Sequence, residues 1–250
     1  MENFTQSNNI AIVIPARYAS VRLPGKPLIK ILDKPIIEWV YEKALQSKFA
    51  SKVIVATDDE RIYNTVVEFG GIAKMTSSQH KSGSDRISEV ILDFPEIDIV
   101  VNVQGDEPLL KPESIDSAIQ MLLDNKTADV ATLVREITED AELNNPNVVK
   151  AVLDNSGNAL YFSRSPIPYP RVKEGAKYFA HIGLYAYRKE SLLKMTQMPQ
   201  SMLEKAESLE QLRALQNGMK IFAAVVDYKP VGIDTHEDLQ EFKRLAQALI

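Results

Sequence analysis

Ile10-Ala11-Ile12-Val13-Ile14, halted by Pro15, is the stretch on which the fold turns. It is a continuous apolar run, rich in β-branched residues and without polar alternation. Such a run reads as a strand covered on both faces, the kind found in parallel sheets flanked by helices. Working outward, Ile36, Ile37, Val40, Tyr41, Ala44 and Leu45 recur at helical spacing. Val53 to Ala56 is a second buried strand, a helix is predicted from about Asp59 to Phe69, and Gly70-Gly71 stops it. Ile72 to Met75 is a weaker strand, Asp85 to Phe94 a helix, and Ile97 to Val103 another buried strand. Ser114 to Leu123 (helix) and Val130 to Val134 (strand) continue the alternation. Strands alternating with helices predict an α/β fold: a mostly parallel central sheet flanked by helices.

The rhythm changes after Asn144. Val148 to Leu153 and Ala159 to Phe162 flank Asp154-Asn155-Ser156-Gly157-Asn158, a turn sequence that predicts a β-hairpin. An irregular proline-rich stretch leads to a strand near Ile182 to Tyr187, a helix over Leu203 to Gln216 and a strand over Ile221 to Val226. Thr235 is placed to cap the last helix, with Asp238 three residues on. No repeat, low-complexity tract or linker interrupts the chain. The expectation is one domain over residues 1–250, with about 145–190 as an insertion.

Composition narrows the function. The chain has 250 residues, 45% hydrophobic and 25% charged, which excludes a largely disordered protein. It has no cysteine, so disulfide frameworks, thiolate metal sites and cysteine nucleophiles are excluded. A net charge of −5 argues against a nucleic-acid partner. No apolar stretch reaches the roughly 18 residues that a spanning helix needs, and Met1 to Asn9 lacks the apolar segment of a secretory signal. No membrane insertion and a cytoplasmic location are therefore expected.

Four constellations carry chemistry. The loop Pro15-Ala16-Arg17-Tyr18-Ala19-Ser20-Val21-Arg22-Leu23-Pro24-Gly25-Lys26-Pro27 leaves the first strand where open α/β sheets bind ligands. Its three cations and its backbone N–H groups suit a polyphosphate, although a solvated basic loop has the same composition. It is not a Walker A loop, because Pro27 follows Gly25-Lys26, and the spaced glycines of a dinucleotide fingerprint are missing. The second constellation, Val101 to Pro108, ends a buried strand in Gln104, Gly105, Asp106 and Glu107. Gly105 would admit a ligand close to the backbone, and Asp106 suits a divalent cation that bridges phosphates, although a turn with solvated acids has the same residues. In the third, Asp234 either helps to cap the last helix or, because Thr235 already suits the cap, is free to act as a second metal ligand. In the fourth, Ser82-Gly83-Ser84-Asp85-Arg86 reads first as helix capping, with Arg86 a candidate to face a ligand. His80, His181 and His236 are too scattered for a histidine metal site, so magnesium on oxygen ligands is favoured.

Together with Leu160-Tyr161-Phe162-Ser163-Arg164, His181-Ile182-Gly183-Leu184-Tyr185, Leu209-Glu210-Gln211-Leu212-Arg213 and Ile233-Asp234-Thr235, these segments resemble the 3-deoxy-manno-octulosonate (Kdo) cytidylyltransferases. The resemblance runs from about residue 10 to 240. It implies a Rossmann-like nucleotidyltransferase fold in which the inserted hairpin serves dimerisation. It also implies an enzyme joining CTP to Kdo, giving CMP-Kdo and pyrophosphate for lipopolysaccharide biosynthesis. Pro15, Ala16, Arg17, Arg22, Lys26, Arg86, Gln104 and Gly105 are then expected around the nucleotide, with Lys26, Asp106 and Arg17 catalytic. Mg2+ is expected on Asp106 and Asp234. Gln104, Arg164, His181, Tyr185, Glu210 and Gln211 are expected around the sugar acid, and a homodimer is implied. The family often carries Thr and Glu where this chain has Ser84 and Asp85, and the Pro170 to Tyr178 stretch is short. An 8-amino-Kdo cytidylyltransferase, or a nucleotidyltransferase for another sugar acid, is therefore kept as the alternative. A silent nucleotide-binding module is the reading outside enzymology.

Overall fold

In the computed structural model, which describes residues 9–19, 23–172 and 175–248, the opening apolar run becomes strand β1 (Ile10–Ala16). The chain divides into two compact units, one made of residues up to Pro112 with those from Pro230 onward, the other of Glu113–Lys229. The stretch 145–190 lies wholly in the second unit. No helix among the described residues is long and apolar enough to cross a membrane.

The first unit begins with β1 and a short 3-10 helix (Lys26–Leu28), followed by the two-residue strands β2 (Lys30–Ile31) and β3 (Lys34–Pro35). Helix α1 (Ile36–Ala44), β4 (Lys52–Thr57), α2 (Glu60–Glu68), β5 (Ile72–Met75), α3 (Gly83–Leu92) and β6 (Ile99–Asn102) come next. β1 pairs in parallel with β4 on one side and β6 on the other, and β4 pairs in parallel with β5. Every residue from Ile10 to Ile14 is buried, as a strand covered on both faces requires. The order β6-β1-β4-β5 means that the chain steps outward from β1 and then crosses to its other side. That reversal opens a crevice beyond the carboxyl ends of β1 and β6, where ligands bind in open α/β sheets.

The strand was expected to stop at Pro15, yet it runs to Ala16. Val103 N donates to Val13 O, so alternate residues of β1 direct their backbone groups toward β6, Pro15 among them. The β6 pairing ends at Val13, whereas the β4 pairing continues to Ala16, so the missing N–H of Pro15 forfeits no ladder bond. Helix α2 ends as predicted: Gly70, at φ 85°, donates to Val67 O and Gly71 to Val66 O, the two bonds of a Schellman turn.

The second unit contains α4 (Pro112–Asp124), β7 (Val130–Glu136), α5 (Asp140–Leu143), β8 (Lys150–Leu153), β9 (Ala159–Ser163) and β10 (Phe179–Arg188). It closes with α6 (Lys189–Gln197), α7 (Met202–Glu207), α8 (Gln211–Gln216) and β11 (Ile221–Val225). β7 is flanked by antiparallel β10 and parallel β11, and the β8–β9 hairpin pairs onto β10 through β8. In the predicted turn, Asp154 Oδ1 accepts from the backbone of Ser156 and Asn158, and Gly157 sits at φ 84°.

The single helix expected over Leu203 to Gln216 is two helices. Ser208 adopts φ 51° between α7 and α8. Glu204 and Arg213 form a buried bidentate pair at 2.6 and 2.8 Å. Nine residues apart on one helix they would face opposite sides, so the break is what lets them meet. The last helix, α9 (His236–Gln247), returns to the first unit, where Phe242 and Ala246 pack with Leu23, Ile31, Ile36 and Ile233.

Candidate active site

The crevice beyond β1 and β6 is an open cleft of about 280 Å³. Pro15, Ala16, Arg17 and Ala19 line it from the end of β1, Gln104, Gly105 and Asp106 from the end of β6, and Lys26 and Pro27 from the 3-10 helix. Gly83, the first residue of α3, also borders it, so the positive end of that helix dipole adjoins the space. Arg17 Nη2 donates to the carbonyls of His80 (2.7 Å) and Ser82 (3.3 Å). Lys26 is placed by a tight turn: Gly25 N donates to Tyr18 O at 2.9 Å, and Gly25 takes φ 69°. An added Cβ there would meet the Tyr18 ring at 3.1 Å, and the positive φ favours glycine independently. Arg22 lies outside the described residues.

Asp106 and Asp234 meet, 128 positions apart in sequence. Lys26 Nζ donates to Asp106 Oδ2 at 2.7 Å and to Asp234 Oδ1 at 3.1 Å. Ile233 N donates to Asp106 O at 2.9 Å, which ties the segment before α9 to the end of β6. Thr235 caps α9 by accepting from Asp238 N, while the Asp238 carboxylate takes the backbone N–H of Asp234 and Thr235. Capping is therefore complete without the Asp234 carboxylate, which turns toward Lys26. Two carboxylates converging on one ammonium fit a divalent cation equally well in charge and donor type. Among the described residues no group of three or more His, Cys, Asp or Glu could hold a metal, so the remaining oxygens would have to come from substrate and water.

Several expected residues have other partners. Gly105 was expected to admit a ligand. It lines the cleft, and its missing side chain also lets backbone approach, since a Cβ there would meet Pro15 O at 3.0 Å. Ser82 and Asp85 form the capping box of α3, as their reading as helix caps expected. Arg86 is fully buried and is not on the cleft wall; its guanidinium bonds Thr76 Oγ1 and lies 3.0 Å from Asp58 Oδ2. Asp59 caps α2, so the pair Asp58-Asp59 divides between an ion pair and a cap.

The residues expected around the sugar acid, other than Gln104, belong to the second unit. His181 stands 5.0 Å from the Phe162 ring and 5.4 Å from Tyr185, with Nε2 2.9 Å from Thr132 Oγ1. Burial pushes its pKa down to about 3, so the ring is neutral. Burial, then the Glu210 carboxylate, raises the Tyr185 hydroxyl above its ordinary range. A bulge between Ile182 and Tyr185 breaks the ladder there, and the buried Thr132 hydroxyl lies within hydrogen-bonding range of both Ile182 O and Leu184 O. Gln211 is buried in α8. Arg164 donates to the carbonyls of Glu207 (2.7 Å), Pro146 (3.0 Å) and Ser208 (3.4 Å), the first and last at the end of α7. That is the favoured place for a cation on a helix dipole. Sequence reasoning missed Glu207, whose carboxylate accepts from Ser163 Oγ and Arg164 N. Its partners lie more than 40 residues away in sequence, so no local signal announces it.

A model of the cytidylyltransferase family matches residues 11–221. The 3-deoxy-manno-octulosonate cytidylyltransferase of Thermodesulfovibrio yellowstonii is 49% identical over 241 residues, covering 91% of this chain and 94% of that protein. The enzyme of the same description from Escherichia coli is 48% identical over 234 residues, covering 94% of each. Among solved structures, a CMP:2-keto-3-deoxy-manno-octonic acid synthetase complexed with CTP superposes with a TM-score of 0.93 at 46% identity, over 97% of this chain and 100% of that one.

Proposed function

The chain belongs to the cytidylyltransferase family, among the 3-deoxy-manno-octulosonate cytidylyltransferases, and from that membership we propose that it joins CTP to Kdo, releasing pyrophosphate and CMP-Kdo for lipopolysaccharide synthesis. The observation that carries the reading is the convergence of Lys26, Asp106 and Asp234 at the crevice also lined by Arg17.

In the reaction the anomeric hydroxyl oxygen of the sugar acid bonds to the α-phosphorus of CTP. The bond from that phosphorus to the bridging oxygen breaks, pyrophosphate leaves with the electron pair, and the hydroxyl proton passes to solvent. Arg17 and Lys26 bind the triphosphate and stabilise the charge that grows on it. The N-terminus of α3 adds a fixed positive dipole beside them. The Asp106 and Asp234 carboxylates would hold Mg2+, and the ion, when bound, would supply charge that lowers the pKa of the attacking hydroxyl. Most of the rate then comes from alignment and preorganised charge. His181, Tyr185, Glu210, Gln211, Arg164 and Gln104 are assigned to the sugar acid by family resemblance. We read the protein as cytoplasmic and as a homodimer through the 145–190 region, where the exposed Leu160, Tyr169 and Val172 support an interface.

The test is a coupled pyrophosphate assay with CTP, Mg2+ and a panel of Kdo, 8-amino-Kdo and sialic acid. Kdo is expected to give the highest kcat/KM. Asp106→Asn is expected to cost about 10²–10³ in kcat, the scale of one lost electrostatic partner. Activity within a few-fold of wild type would remove Asp106 from the chemistry.

A further inference from the structure

We propose that Glu89 is a positioning residue for the nucleotide, acting through His80 on Arg17; this rests on the reading that Arg17 binds the triphosphate. Arg17 reaches the cleft from the end of β1, but its orientation is set by the loop between β5 and α3. Both contacts of Nη2 go to carbonyls of that loop, His80 O at 2.7 Å and Ser82 O at 3.3 Å. These two acceptors fix the guanidinium plane, and with it the direction in which Nε and Nη1 are presented. Ser82 is already rigid, since it closes the capping box of α3. Among the described residues, the His80 backbone takes part in no such cap.

Glu89, on α3, supplies the restraint. Its Oε2 accepts from Ser77 N at 3.0 Å and pairs with His80 Nε2. One carboxylate oxygen thus ties Ser77, near the start of the loop, to His80 and holds the His80 carbonyl beneath Arg17. The arrangement costs two ionisable side chains at a partly exposed position, 21% for His80 and 42% for Glu89. A surface pair of that kind adds little stability. Its effect lies in aiming an acceptor at the cation of the cleft.

The test is a double-mutant cycle on CTP affinity, measured by calorimetry with the full chain, Mg2+ and no sugar acid, so that no turnover occurs. Glu89→Ala and His80→Phe are each expected to weaken CTP by about tenfold, the order of one misdirected hydrogen bond to a charged group. In an Arg17→Ala background neither is expected to weaken it further. Glu89→Gln keeps an oxygen for Ser77 N and is expected to recover part of the loss. A role in folding alone predicts a lowered Tm and the same fold-loss whether or not Arg17 is present; that result overturns the proposal. CTP affinity unchanged in Glu89→Ala also overturns it, while leaving the assignment of Arg17 intact. If Arg17→Ala alone leaves CTP affinity unchanged, the nucleotide role of Arg17 fails and the proposal falls with it.

Discussion

Replacing Lys26 by Met removes the cation on which Asp106 and Asp234 converge and leaves the two carboxylates facing each other. The structure separates the stability cost from the catalytic one. Lys26 is 12% exposed, but its partners are 31% and 43% exposed, so solvent screens both pairs. Two such pairs contribute about 1 kcal/mol together, and the new carboxylate repulsion adds about as much again. A loss of about 2 kcal/mol lowers the Tm of a chain of this length by roughly 4–8 °C. The catalytic cost is larger. A positioned cation at the developing charge of a phosphoryl transition state is worth roughly 3–4 kcal/mol, or about 10²–10³ in rate. Lys26→Met is therefore expected to remain folded at 25 °C and to lose at least two orders of magnitude in pyrophosphate release at saturating CTP. A variant that melts early yet turns over within tenfold of wild type would refute the assignment, since it would make Lys26 a structural clip.

Acid should reveal the Glu142 cluster. Arg135 and then Lys229 hold its carboxylate at about 2, below the ordinary 4.5, so its contribution is complete above 4.5 and disappears as pH falls to about 2. In Tm against pH, the gap between wild type and Glu142→Gln is expected to close across that window; a gap that stays constant down to pH 2 would show that the carboxylate charge is irrelevant. His181 behaves in the opposite chemical sense. The unfolded ring takes up a proton near 6.5 and the folded one only near 3, so stability rises with pH between these values. NMR of the imidazole nitrogens is expected to show a neutral His181 at pH 5, and a protonated ring there would contradict its enclosure. Gly105→Ala places a Cβ 3.0 Å from Pro15 O and is expected to cost about 1–3 kcal/mol by overpacking, together with activity, because Asp106 is the next residue. Thermal melts and the pyrophosphate assay check both effects.

Short-range physics is legible in a sequence, and here it reached far. The β-branched run at Ile10 needs two covering layers wherever it lies, which is why it reads as a central strand. Asp154 to Asn158 and Thr235 with Asp238 form their turn and cap through contacts spanning three or four residues. The candidate aspartates were legible as chemistry, because Thr235 already satisfied the cap and left Asp234 for other work. Family resemblance added the identity of the substrates, which spacing alone left open.

The tertiary structure decided what depends on partners distant in sequence. The order β6-β1-β4-β5 opens the crevice at which Lys26, on the 3-10 helix, meets Asp234, 208 residues away, held there by Ile233 N on Asp106 O. The break at Ser208 brings Glu204 and Arg213 together as a buried pair, a contact that one continuous helix would have kept apart. Arg164, expected around the sugar acid, takes its place from three backbone carbonyls, two of them at the end of α7, contacts that span up to 44 residues. Local propensity acts over a few residues, whereas burial and charge pairing act over whatever the folded chain brings together. Side-chain identity therefore set the chemistry available, and only packing determined which groups meet.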